Sequence, residues 1–200
     1  MRIVLICWIW IALLVACTGC SSMIDTRSFI HPEADFSYYH KVGLLPFSNQ
    51  SEDRLAGEKV TEHFMTELLI NGELEVMEPG QFNAVVTQVM RGAVSGSSPE
   101  FTPAQLTQIA GVAGVQGIFM GIVHEYKMTQ LGGEQYPVIS LTAKFIDAQT
   151  GTVVWQNNVN ARGGPNLPIV SIGETFLLGA MTQKVSKKVV KDFYKKAFSQ

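Results

Sequence analysis

The chain is poor in cysteine, and its three thiols, Cys7, Cys17 and Cys20, all stand within the first 20 of its 200 residues. No disulfide framework can staple the remainder, whose stability must come from a packed core. Charge of one sign is lacking too. Fifteen Lys and Arg against 17 Asp and Glu leave a net charge of −2 at pH 7, so no broad basic surface exists to release counterions from nucleic acid, and nucleic acid is not an expected partner. The longest apolar run, Ile3 to Ala16, falls short of the roughly 20 residues that a spanning helix needs. No repeat at a period of about 20–50 residues is present, which argues against a solenoid.

Catalytic signatures are equally scarce. There is no P-loop, no G-x-S-x-G, and no C-x-x-C pair outside the first 20 residues. His124-Glu125 lacks the second histidine of a zinc-protease helix, because position 128 is Met. His63, His31 and His40 have no partner at metal-ligand spacing. Gly111-Val112-Ala113-Gly114-Val115-Gln116-Gly117 is not G-x-G-x-x-G and follows a helix where a dinucleotide loop follows a strand. No cofactor and no metal are expected, and the chain does not read as an enzyme. A hydrolase stays as a third reading, since sequence alone does not bring carboxylates such as Glu62, Glu67 and Asp147 together in space.

What the chain does have begins at its amino end. Arg2, the apolar run and then Leu14-Val15-Ala16-Cys17 have the order of an export signal: positive, apolar, small. The cysteine at the cleavage point resembles the lipobox of bacterial lipoproteins, which implies a signal peptide over 1–16 and lipidation of Cys17, with palmitate among the acyl chains. Cys20 in Thr18-Gly19-Cys20-Ser21-Ser22 is the alternative, but Cys17 would then fill a position three before it that Leu14 fills better for Cys17. Several acyl chains at about 0.8 kcal/mol per buried methylene make a stable anchor. Neither Thr18 nor Ser21 is the Asp that retains lipoproteins at the inner membrane. Family sorting rules therefore imply the periplasmic face of the outer membrane.

Residues 17–40 show little periodicity and read as a lipid-anchored tether, about 80 Å at full extension but about 25–30 Å as a coil. The folded domain is expected over 41–198. Lys41 to Phe47 reads as a buried strand. Ala56, Val60, Phe64 and Leu68 recur every four residues and predict a helix stopped by Asn71-Gly72. Leu74 and Val76 alternate with Glu73 and Glu75 as a second strand. A helix over Gln81 to Met90 precedes a Gly- and Ser-rich loop, Gly92 to Ser98. Thr102-Pro103 sets N-cap and first turn of the next helix. Strands follow from Ile118 to Met128, through Val138 to Phe145 after a hairpin loop at Leu131 to Gln135, and over Val153 to Trp155 after a turn at Asp147 to Gly151. One long helix from Ile169 to about Phe198 closes the chain, its core stripe Met181, Val185, Val189 and Phe193. The order β-α-β-α-α-β-β-β-α predicts a single-domain α/β sandwich with a mixed sheet.

The last helix carries Lys184, Lys187, Lys188, Lys191, Lys195 and Lys196. This face suits anionic head groups or an acidic partner, although a solvated outer face opposite the core stripe is the simpler explanation. Lys184, Lys187, Lys188, Lys191, Lys195 and Arg162 are the candidate partner contacts, with the loops Gly92 to Ser98, Leu131 to Gln135 and Arg162 to Pro168 beside them.

Val42-Gly43-Leu44-Leu45-Pro46-Phe47, the helix after it, Leu74-Glu75-Val76-Met77, the strand entry from Gly114 to Glu125 and Asp147 to Trp155 together resemble the CsgG-type curli assembly and transport lipoproteins and their relatives. These include the amino-terminal domain of TolB and the lipoprotein activators of penicillin-binding proteins. The resemblance implies a periplasmic, non-catalytic cell-envelope domain that binds envelope proteins or its own copies. Pore-forming members insert two long hairpins near positions matching Leu131–Gln135 and Ala161–Pro168, where this chain has short connections, so no pore is expected. The leading expectation is an outer-membrane lipoprotein acting as an assembly or accessory subunit for export of a surface polymer or appendage. The alternative is a regulator of peptidoglycan synthesis that binds a penicillin-binding protein.

Overall fold

The computed structural model describes residues 23–90, 101–131, 133–164 and 177–198. Its strands are β1 (Met23–Ile30), β2 (Lys41–Leu44), β3 (Ser48–Asn49), β4 (Glu75–Met77), β5 (Gly117–Leu131), β6 (Glu134–Asp147) and β7 (Val153–Arg162). Its helices are α1 (Ala56–Asn71), α2 (Pro79–Val89), α3 (Pro103–Ala113) and α4 (Leu178–Phe198), and a 3-10 turn spans Phe36–Tyr38. All seven strands join one mixed sheet, ordered β1-β7-β6-β5-β2-β4, with β3 paired to β5. β5, β6 and β7 run antiparallel as a meander, while β2 lies parallel to both β4 and β5. The fold is the predicted single-domain α/β sandwich, with β1 and β3 added to the expected order.

Local chemistry accounts for where the elements stop. Gly72 and Gly114 end α1 and α3 at φ +70° and +68°, the left-handed conformation that costs glycine nothing. Thr102 caps α3 through a reciprocal box with Gln105, and Pro103 opens the first turn. α2 starts at Pro79, two residues before the expected Gln81, because Glu78 accepts from the Gln81 N–H and serves as its cap.

Three expectations need correction. Residues 23–30, read as tether, form a strand that pairs with β7 over its whole length, Met23 with Arg162 through Ile30 with Trp155. Its inward positions include small polar Thr26 and Ser28 beside Ile24 and Ile30, so the apolar contrast that marks a strand is weak. Phe36 and Tyr39, also in the expected tether, are buried. The hairpin strands continue to Leu131 and resume at Glu134, shortening the expected loop to a two-glycine connection with Gly133 at φ +95°. The last helix begins at Leu178; residues 169–176 of that expectation, and the loop Gly92–Ser98, lie outside the described residues.

Strand alternation divides the core in two. Under α1 and α4, Phe193 meets Phe119 at 4.9 Å, Phe145 at 5.2 Å, Trp155 at 5.2 Å and Phe36 at 5.9 Å between ring centroids. Each such pair adds about 0.5–1.5 kcal/mol beyond the area it buries. On the other face a smaller aliphatic cluster joins Phe82 and Val86 of α2 and Leu106 and Ile109 of α3 to Ile118 and Ile146. Gly117 faces the Phe145 ring so closely that a Cβ would overlap it.

Candidate partner-binding surfaces

The lysines expected on the last helix divide into two groups by what they touch. The buried stripe of α4, Met181, Val185, Val189, Val190 and Phe193, turns Lys184, Lys187, Lys188, Lys191 and Lys195 outward, all exposed. Lys188 Nζ donates to the Ile24 carbonyl at 2.6 Å, and Lys196 donates to Ser28 Oγ and pairs with Asp192 at 3.6 Å. These two cover the outer edge of β1, a device that blunts an exposed sheet edge. Among the described residues Lys187, Lys191 and Lys195 form no ion pair, and they stand in one row at four-residue spacing. Arg162 is not part of this face. It ends β7 on the opposite side of the sheet, in step with exposed Asn158 and Asn160.

Two concave sites went unread in the sequence, because each joins distant segments. A groove of about 480 Å³ lies between α1 and the start of α2, with Pro46, Met65 and Pro79 among its lining and Glu58, Glu62 and Glu78 around it. The backbone N–H groups of Gly80 and Gln81 hold the Glu78 carboxyl below the usual range, so it is charged at neutral pH. A second cleft of about 460 Å³ is lined by His31, Asp35, Tyr38, Tyr39, Asp147 and Gln149. There the Tyr39 hydroxyl donates to Asp147 Oδ2 at 2.9 Å, while Asp147 Oδ1 accepts from the Gln149 and Thr150 N–H groups. Burial, then this hydrogen bond, pushes the Tyr39 phenol well above its ordinary value. Asp147 is thereby engaged in holding its turn.

Among the described residues no cluster of three His, Cys, Asp or Glu is placed to hold a metal. His124 is the extra residue of a bulge in β5, bridging Gln50 Oε1 at 3.1 Å and Thr142 Oγ1 at 3.0 Å. Glu62 lines the groove beside α1 and Asp147 the second cleft, while Glu67 is buried and lines neither. No helix among the described residues is long and apolar enough to cross a membrane.

No protein-family model matches the chain, and no curated protein matches it in sequence. Solved structures do share its fold. The PelC dodecamer from Paraburkholderia phytofirmans is similar at a TM-score of 0.57 and 20% identity, over 84% of this chain and 95% of that one. The hypothetical protein CT253 from Chlamydia trachomatis gives a TM-score of 0.55 at 14% identity, over 81% and 99%. Lipoprotein GNA1162 from Neisseria meningitidis gives 0.52 at 15% identity, over 76% and 99%. The chain therefore shares its fold with a lipoprotein of Neisseria meningitidis, and in one neighbour twelve copies carrying that fold assemble.

Proposed function

We propose that this chain is a lipoprotein held by Cys17 at the periplasmic face of the outer membrane, where it serves as a non-enzymatic assembly or accessory subunit for export of a surface polymer or appendage. Its partners are envelope proteins and copies of itself. The observation that carries the reading is the position of β1. Five residues separate Cys17 from Met23, so the link spans at most about 20 Å, where a tether to residue 40 could extend to about 80 Å. Met23 aligns with Arg162, and Arg162 with Val138, so the anchored end of the sheet is the end beyond which the β5–β6 hairpin continues. A leash this short keeps that end against the bilayer and the flanks of the domain beside it. It also weighs against the alternative, a regulator that must reach through the wall to a penicillin-binding protein.

The test is crosslinking in cells followed by mass spectrometry on the full lipoprotein, with Cys17→Ala as the unanchored control. Links to outer-membrane or export proteins and between copies, lost in the control, are expected. Links dominated by wall synthases would replace this reading with the regulator. Labelling with an alkyne palmitate analogue should mark the wild type and the Cys20→Ala variant but not Cys17→Ala; label retained in Cys17→Ala would move the anchor to Cys20.

A further inference from the structure

We infer that copies of this chain associate head to tail, the Lys187, Lys191 and Lys195 row of one copy seating in the Glu58, Glu62 and Glu78 groove of the next. This rests on the reading that the chain works with copies of itself and adds the surfaces through which they meet. The two surfaces belong to different parts of the molecule: the groove borders α1 and the start of α2, while the row lies on the solvent face of α4. Among the described residues no ion pair joins Glu58, Glu62 or Glu78 to any cation, and none joins the three lysines to any carboxylate.

The pitch of the two surfaces agrees. Residues four apart on a helix stand about 6 Å apart along its axis, so Lys187, Lys191 and Lys195 repeat at the same interval as Glu58 and Glu62. Glu78 faces them across the groove. The floor fits the rest of the side chain. Lysine stems are apolar and lie along apolar surface while their ammonium groups stay at the rim, and Pro46, Met65 and Pro79 supply that surface. Because the patches differ, the contact is heterologous: each copy offers one of each, and repetition closes a ring or extends a filament. The neighbouring lysines are already used, Lys188 on the Ile24 carbonyl and Lys196 on Ser28 and Asp192, and Lys184 is likewise engaged, which leaves the row of three.

The experiment is sedimentation velocity on the full acylated chain in detergent. It compares the wild type with Lys187→Glu/Lys191→Glu, with Glu58→Lys/Glu62→Lys, and with an equimolar mixture of the two variants. Wild type should associate more weakly as salt rises. Each variant alone should associate roughly a hundredfold more weakly, since like charges then face each other, and the mixture should recover association because each reversed surface finds its complement. A misfolded variant would not be rescued by the other, so recovery reports the contact itself. Association unchanged by either reversal would overturn these surfaces and leave self-association intact; a chain monomeric throughout would overturn both. Flotation with phosphatidylglycerol vesicles supplies the other control. Should reversing the lysines abolish that binding and leave association untouched, the row serves the membrane and the proposal fails.

Discussion

One face of the sheet is closed by α1 and α4 over a continuous cluster of aromatic rings. The other is covered by α2 and α3 near Ile118 and Ile146, and beyond them it turns Ser140, Thr142, Lys144, Gln156, Asn158 and Asn160 toward solvent. The same strands make both. β6 places Ile139, Leu141, Ala143 and Phe145 inward and Ser140, Thr142 and Lys144 outward, so one segment meets two environments through the two-residue period of a strand. Stability is concentrated on the aromatic side. The open side is polar and internally hydrogen-bonded, as between Ser140 Oγ and Asn160 Oδ1 at 2.7 Å, which keeps an uncovered sheet face from becoming an apolar patch.

The sharpest way to break this contrast is Phe193→Ala, which empties the centre of the larger cluster and should cost about 3–5 kcal/mol. Phe82→Ala, in the smaller cluster, should fall toward the lower end of the same range; equal losses in urea melts would remove the distinction between the faces. Phe36→Ala comes next, at roughly 3 kcal/mol. A change within experimental error there would return residues 31–40 to the tether. Alkaline pH should act on the same side. Tyr39 and Tyr194 have phenols raised chiefly by burial. With folded values above the unfolded value of about 10, their stabilisation is complete below that pH and is lost as pH rises toward the folded values. Thermal melts from pH 8 to 11 should show the decline, made shallower by Tyr39→Phe. The smallest effect belongs to the open face, where Asn158→Ala should stay within about 0.5 kcal/mol of wild type.

Where one segment supplies its own signal, the sequence is legible. Thr102-Pro103 starts α3, Asn71-Gly72 ends α1, and Asp147 to Gly151 turns β6 into β7, each through contacts within a few residues. β1 is not legible in this way. Its inward face mixes Thr26 and Ser28 with two isoleucines, and it becomes a strand because β7 offers an unpaired edge more than 120 residues later. β3, two residues long, likewise exists through its pairing with Ile122 and Val123. Among the candidate contacts, periodicity identified the exposed lysines, but no sequence rule separates Lys188, tied to the Ile24 carbonyl, from Lys187 and Lys191.

Sequence by itself determined the α/β order from Lys41 onward except for β3, the helix limits set by caps and glycines, and the outward row of lysines, because propensity, periodicity and capping act within one or two turns of chain. Tertiary structure alone decided that the first strand joins the sheet, that Tyr39 meets Asp147 across 108 positions, and that Glu58, Glu62 and Glu78 face one groove. Those outcomes depend on which backbone edges and side-chain surfaces remain unmatched once the local elements have packed, and that is a property of the whole chain.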